Sequence, residues 1–323
     1  MVTQPASTVL VTGSNGFVGQ AVCHRLMAQG CRVVAVTRAG RPAPMGTVAK
    51  ASPDLGPDAD WQPLLEGVDA VVHLAARVHV MQDRALDPLA EFRAHNALAT
   101  RRLAEQSAAM GVRHLVFMST IKVSGERTAP DQPFRADLPP APVDPYGISK
   151  LEAEQALREV AETSGLAVSV IRPPLVYGPG VKGNLPKLMA MIARGLPIPV
   201  STAANARSFI GVTNLADLVA TCLGRDTATP FRLFLAKDGD VSTAQLVSHL
   251  AAALGRPCRI IPVPHALLRL AGKLTGNSGA VERMTGSLVV DDTETRRLLN
   301  WTPPLSFADG MADTARWFVA HRA

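Results

Sequence analysis

A chain of 323 residues, 47% hydrophobic and 19% charged, can bury a large core and is too apolar to stay disordered. Its net charge of +6 is scattered, and only 4% of its residues are aromatic, so nucleic acid is not an expected partner and a small anionic ligand fits better. No run of about 18 apolar residues could span a membrane; no leader is expected before a first strand that starts by residue 8; and Cys23, Cys31, Cys222 and Cys258 show no paired spacing, so a reducing, cytoplasmic setting with no membrane partner is expected.

Thr8-Val-Leu-Val-Thr12 is a β-branched, apolar run that predicts a buried strand. Gly13, Gly16 and Gly19 follow at a spacing of three, and Gln20 to Gln29 predicts a helix stopped by Gly30. A Gly-x-x-Gly-x-x-Gly alone could be any tight turn. Between a strand and a helix it lets the backbone approach a pyrophosphate at the positive helix end, which points to a dinucleotide. Further strands are predicted at 32–37, 69–75, 114–119 and 167–171. Asp87-Pro88 and Asp144-Pro145 each cap and open a helix, the first running to about Met110 and the second to about Thr163. Continuous apolar strands between helices predict an α/β fold, with a doubly wound parallel sheet covered on both faces. After Arg172 the chain turns rich in Pro and Gly, then returns to helices at 243–254 and 308–319. Residues 1–175 are therefore expected to form a Rossmann-type dinucleotide-binding domain, with a returning segment near 207–235. Residues 176–323 are expected to form a smaller domain that closes over the crevice at the strand ends.

Tyr146 and Lys150 lie four residues apart on an expected helix, hence on one face, about 5–6 Å apart at Cβ. An ammonium that close favours the phenolate, so the phenol is expected below its ordinary value of about 10 and available as an acid/base. The eight histidines form no ligand pattern, and no metal is expected. His73 reads as a satisfied core histidine.

With these motifs the chain resembles the extended short-chain dehydrogenase/reductases, the family of nucleotide-sugar epimerases, dehydratases and ketoreductases. The resemblance runs through Gly13/Gly16/Gly19, His73-Leu-Ala-Ala76, Asn96, Ser119-Thr120, Tyr146/Lys150, the segment Arg172 to Pro179, Arg207 to Asp217 and Leu298 to Pro303. It implies that Tyr146 is the acid/base. Lys150 would lower its pKa and bond the nicotinamide ribose, and Thr120 would orient the reacting oxygen. Implied cofactor contacts are Gly13, Asn15, Gly16, Phe17, Val18 and Gly19 in the turn, Asp54 and Leu55 at the adenine, Leu74, Ala75 and Ala76 along the cofactor, and Tyr146, Lys150 and Pro173. Implied substrate contacts are Thr120 and Tyr146, with Asn184, Arg207 and Arg283 as further polar groups; the two arginines suit a diphosphate. Asn96 would tie its helix to the central sheet, and Tyr177 would either line the site or pack beneath it. A homodimer through the helices near 88–110 and 145–164 is implied by the resemblance alone.

Three departures narrow the reaction. Ile121-Lys122 stands where dehydrating members carry Asp-Glu, so 4,6-dehydration is not expected. Arg38, with Arg41, ends the second strand where an acidic residue would hold the NAD ribose; of NAD and NADP, this favours NADP. Leu175 replaces an asparagine common in epimerases, and Ser124 replaces a tyrosine. The expected function is an NAD(P)-dependent 4-ketoreductase acting on a UDP-linked N-acetylhexosamine in bacterial surface-polysaccharide (lipopolysaccharide) synthesis. The alternative is a UDP-sugar 4-epimerase with bound NAD. A reductase of a small non-nucleotide ketone and a non-catalytic dinucleotide-binding regulator complete the set.

Overall fold

The computed structural model describes residues 7–78, 87–129, 131–225, 227–274, 276 and 278–321. Its strands are β1 (Thr8–Thr12), β2 (Arg32–Thr37), β3 (Val48–Ala51), β4 (Ala70–His73), β5 (His114–Met118), β6 (Ala167–Arg172), β7 (Leu175–Tyr177), β8 (Ile198–Ser201), β9 (Arg207–Gly211), β10 (Phe231–Leu235), β11 (Gly239–Val241) and β12 (Ile260–Val263). The expected parallel sheet has seven strands in the order β10-β6-β5-β4-β1-β2-β3. Thr12 registers with Val36 on one side and with His73 on the other. The strand order reverses at β1, so a crevice opens at the carboxyl ends of β1 and β4.

Alternate residues of one strand feed opposite layers. Val9 and Val11 join a cluster with Val22, Leu26, Leu218 and Val219, while Leu10 joins Leu103, Leu115, Leu157 and Val168. The helices supplying these layers are α1 (Phe17–Ala28), α2 (Gln62–Leu65), α3 (Pro88–Phe92), α4 (Ala99–Ala109), α5 (Pro145–Ser164), α6 (Asn184–Ala193) and α7 (Val212–Leu223). α1 and α7 cover one face; α4 and α5 cover the other. Asp87 and Asp144 cap α3 and α5 through the amides of Ala90 and Gly147. α5 stops at Gly165, whose φ of 75° is the left-handed conformation that suits glycine.

Two local expectations change. The helix expected to run unbroken from 88 to about 110 contains a π turn, Arg93–Leu98, between α3 and α4. The extra residue presents buried Asn96 inward, where it bonds the backbone N–H (2.8 Å) and carbonyl (3.1 Å) of Arg77 and the Ser149 hydroxyl (3.0 Å). The strand expected at 69–75 ends at His73, because the Leu74 and Ala75 amides turn to donate to Thr12 Oγ1 at 3.2 and 3.1 Å.

The remaining helices are α8 (Thr243–Ala253), α9 (His265–Leu274), α10 (Ser278–Thr285), α11 (Thr293–Leu299) and α12 (Phe307–Ala320). With the small sheets β11-β9-β7 and β12-β8, helices α6, α8 and α12 surround a separate core of Tyr177, Met189, Phe209, Leu250 and Phe307. Between these two parts the chain comes back: α7 packs beside α1, and β10 extends the main sheet next to β6. Among the described residues, no helix is long and apolar enough to cross a membrane.

Candidate active site

Six parallel strands deliver candidate residues to one edge. Gly13 follows β1, Arg38 follows β2, Asp54 lies just beyond β3, Leu74 follows β4, Thr120 lies just beyond β5 and Pro173 follows β6. That shared edge follows from parallel pairing alone, since every strand points the same way.

The glycine turn is shaped by backbone contacts. A Cβ on Gly13, whose φ is 66°, would meet the Ala75 nitrogen at 2.8 Å. On Gly19 it would lie 2.2 Å from the Gly13 carbonyl oxygen, and on Gly16 3.1 Å from the same atom. The three glycines thus let the turn fold onto itself and onto the Leu74–Ala76 segment. The buried Ser14 hydroxyl donates to the Val36 carbonyl at 3.0 Å and fixes the turn to β2. Gly16 precedes α1 without a side-chain cap, which leaves helix-end amides and the positive dipole end for an anion. Asn15, Phe17 and Val18 complete this cradle, which fits a dinucleotide pyrophosphate. Asp54 is exposed, and Leu55 packs on the main core. Arg38 is exposed on the turn after β2, and the Arg41 amide donates to its carbonyl at 3.0 Å.

Beneath the cradle His73 is buried, with Nδ1 2.7 Å from Thr12 Oγ1 and Nε2 3.1 Å from Thr100 Oγ1. It stacks on Phe117 at 5.7 Å. Burial, with Lys150 adding to it, pushes its pKa down to about 3. Both ring nitrogens are satisfied and the ring stays neutral, consistent with a core role.

Tyr146 and Lys150 share one face of α5, but the electrostatics differ from the sequence expectation. The Lys150 ammonium is buried, donates to the Met118 carbonyl at 2.9 Å and sits 4.3 Å from the centroid of the Phe117 ring. Burial pushes its pKa down to about 7, with the Glu154 charge acting the other way. The phenol of Tyr146 is raised to about 12, by burial first and by the nearby Asp144 charge second. The expected lowering by Lys150 is therefore corrected: in the protein alone, burial and the Asp144 charge push this phenol up rather than down. Tyr146 is held edge-on by Phe92, ring centroids 6.1 Å apart.

Thr120 opens the short 3-10 turn Ile121–Val123, and its hydroxyl accepts from the Lys122 amide at 3.3 Å. The Ile121 amide donates to the Pro173 carbonyl at 3.0 Å. A buried charge network lies below. Arg172 Nε donates to Glu154 Oε1 at 2.9 Å, Arg172 Nη2 to Glu154 Oε2 at 2.5 Å, and Arg172 Nη1 to Ser124 Oγ at 3.1 Å. Ser119 Oγ donates to the same carboxylate. Ser124, noted only as a departure from the family pattern, thus supports Arg172. Sequence reasoning missed Glu154 in this network, although it falls four residues after Lys150 on the same helical face.

The more distant residues are less clustered. Arg207 opens β9, and its Nη1 donates to the Gly286 carbonyl at 3.3 Å. Asn184 is exposed at the start of α6. Arg283 falls on α10, and its side chain lies outside the described residues. Tyr177 is buried in the second core, donating to Asp238 Oδ2 at 3.1 Å and packed on Phe209 and Phe307. Of its two expected placements, it packs beneath. No cluster of potential metal ligands occurs among the described residues.

Residues 9–232 match the model of the NAD dependent epimerase/dehydratase family. The chain is 40% identical to a UDP-glucose 4-epimerase of Vibrio cholerae over 97% of its own length and 95% of that protein. It is 30% identical to a dTDP-4-dehydro-6-deoxy-D-allose reductase of Streptomyces bikiniensis, covering 97% of each. Among solved structures it resembles MoeE5 in complex with UDP-glucose and NAD, with a TM-score of 0.77 and 25% identity over 98% of this chain and 100% of that one. The strand edge, the glycine cradle and these likenesses agree: the chain belongs to the NAD dependent epimerase/dehydratase family, as an enzyme of the nucleotide-sugar epimerase/reductase type.

Proposed function

We propose that this protein is a UDP-sugar 4-epimerase that works with bound NAD. The observation that carries this reading is the 40% identity, along almost the whole chain, to a UDP-glucose 4-epimerase. The turn–Thr120–Tyr146–Lys150 arrangement supplies the parts such a reaction needs. Ketoreduction, the first expectation from the sequence, becomes the second reading. It keeps support from the 30% identity to a 4-keto-sugar reductase and from Arg38 at the end of β2.

In this reading the glycine turn and the α1 N-terminus hold the pyrophosphate, and Asp54 and Leu55 flank the adenine. Bound in this cradle, NAD would supply the hydride exchange at the sugar C4 that no side chain can perform. Tyr146, once ionised, takes the proton of the C4 hydroxyl as the C–H bond breaks. It returns that proton to the C4 oxygen after the sugar has presented its other face. Thr120 hydrogen-bonds the reacting oxygen, a task one hydroxyl can perform. Lys150, when protonated, would lend positive charge to the phenolate, and the nicotinamide ring of bound NAD would add to it. Arg207, with Asn184 and Arg283, is assigned to the substrate diphosphate and sugar.

We further propose a cytoplasmic homodimer joined through the outer faces of α4 and α5, where Leu98 and Met110 are exposed beside the Arg93–Glu152 and Arg101–Glu159 ion pairs. Light scattering decides between dimer and monomer. The function is tested by mass spectrometry of the nucleotide that co-purifies. Retained NAD, with no net NADPH oxidation on a UDP-4-keto-sugar, supports epimerisation; rapid NADPH turnover would move the assignment to the reductase.

A further inference from the structure

The turn carrying Thr120 is fastened to the helix carrying Tyr146 at two places. One is the buried Arg172–Glu154 network. The other is partly exposed and has no part in the reaction steps above: the Lys122 ammonium ion-pairs with the Asp144 carboxylate, their side chains 38% and 22% exposed. Glu126 Oε1 lies 3.6 Å from the same ammonium.

Each partner of this pair is tied to a cap. Lys122 gives its amide to Thr120 Oγ1, and Asp144 caps α5 by accepting from the Gly147 amide at 2.6 Å. The pair thus joins the starts of the two elements that present the candidate hydroxyl and the candidate phenol. Asp144 also stands two residues before Tyr146, and its charge opposes ionisation of the phenol. A cation bound to Asp144 offsets that opposition. A partly exposed pair of this kind adds only modestly to stability, and its larger consequence lies in where it puts charge.

We propose that Lys122 is a positioning residue for the epimerase reaction: through Asp144 it fixes the Thr120 turn against the Tyr146 helix and neutralises the carboxylate beside the phenol. The proposal rests on the reading of Tyr146 as the acid/base. Further charged groups stand on the elements packed against the phenol, among them Glu91, 3.7 Å from Arg77 Nη1. Lys150 lies on the same helix, Glu126 shares the Lys122 ammonium, and Arg77 sits 5.6 Å over the ring of Phe92, which packs on Tyr146. Arg93 is bound to Glu152 across the helices, and His73 stays neutral above about pH 3.

The chain has only two tyrosines, so Tyr146 can be watched directly. Carbon NMR of ring-labelled tyrosine on the NAD-saturated full-length protein gives two phenol signals, and Tyr146→Phe assigns them. Burial raises the Tyr177 phenol far above the ordinary range, so its signal stays fixed. Lys122→Met should move the Tyr146 titration to higher pH by about 0.5–1. Asp144→Asn keeps a capping side chain and should move it to lower pH by a similar amount. The double variant should titrate within about 0.3 of the parent, because the two charges act on each other. Lys122→Arg should restore the parent value. At pH below the phenol titration, Lys122→Met should cut kcat about three- to tenfold, because the phenolate fraction there falls in proportion as the titration moves up. KM for the UDP-sugar should stay unchanged. A merely structural pair would move both single variants in the same direction; that result, or no change in either, overturns the proposal. If Tyr146→Phe abolishes turnover while the titration stays put in both single variants, the Lys122 proposal fails alone. If Tyr146→Phe keeps full turnover, the acid/base reading fails and the proposal with it.

Discussion

Replacing Glu154 with glutamine probes the charge network beneath the site most severely. Glu154 and Arg172 are each only 5% exposed at the side chain. Their carboxylate and guanidinium meet through contacts of 2.9, 3.2 and 2.5 Å, and Ser119 adds a donor to the same carboxylate. Glutamine has nearly the same shape but no charge, so Arg172 and Lys150 would remain buried without their common anion. Breaking a buried pair from one side costs about 3–5 kcal/mol. For a chain of this length each kcal/mol moves the midpoint by roughly 2 °C, giving a fall of about 6–10 °C in Tm. Urea unfolding followed by fluorescence gives the free energy, and a scanning calorimeter gives Tm. A double variant supplies the control. Removing both partners, as Glu154→Met with Arg172→Leu, should cost less than Glu154→Gln alone, because the guanidinium is no longer stranded. A loss under about 1 kcal/mol in Glu154→Gln, or a double variant no better than the single one, would refute the account.

Three further outcomes follow from the same geometry. Gly19→Ala places a methyl 2.2 Å from the Gly13 carbonyl and should abolish NAD binding by calorimetry, whereas Gly56→Ala, with nothing within 4 Å, should leave it intact. Tyr146→Phe should keep NAD affinity and lower turnover by about 10²–10⁴, the usual share of a general acid/base; unchanged turnover removes the assignment. His73 has a folded pKa of about 3 against 6.5 for the free group, so between those values the unfolded chain binds more protons than the native one. Stability should therefore rise with pH across that window and be lost as pH falls through it, and His73→Asn should flatten the slope in pH-dependent urea unfolding even if it lowers stability overall.

The sheet was legible because its information is local. Runs such as Val9 to Val11 and Val33 to Val36 are apolar without a break, and parallel strands buried on both faces require that. The glycine turn was legible for the same reason: Gly13, Gly16 and Gly19 touch each other and Ala75, so few other residues could stand there. The π turn at Arg93–Leu98 was not, since one extra residue barely disturbs an apolar helical pattern. Short strands such as β3, with three exposed residues of four, carry no alternation to read. The direction in which the Tyr146 phenol moves was misread for a tertiary reason. Spacing placed Lys150 on the right face, but burial depth, the Met118 carbonyl and the Asp144 cap set the balance. The Lys122–Asp144 pair spans 22 residues and was missed, although both members were visible, one as the cap of α5 and the other as a basic residue where an acidic pair was sought.

The central claim is that one phenol takes the proton off the C4 hydroxyl and returns it to the C4 oxygen while NAD is kept. Proton NMR of the purified protein with UDP-glucose, with no nicotinamide added, tests it directly. The account predicts accumulation of the C4 epimer to equilibrium, unchanged total UDP-hexose and loss of the conversion in Tyr146→Phe. Absence of any epimer from NAD-loaded protein, together with one NADPH oxidised for each UDP-4-keto-sugar consumed, would contradict it.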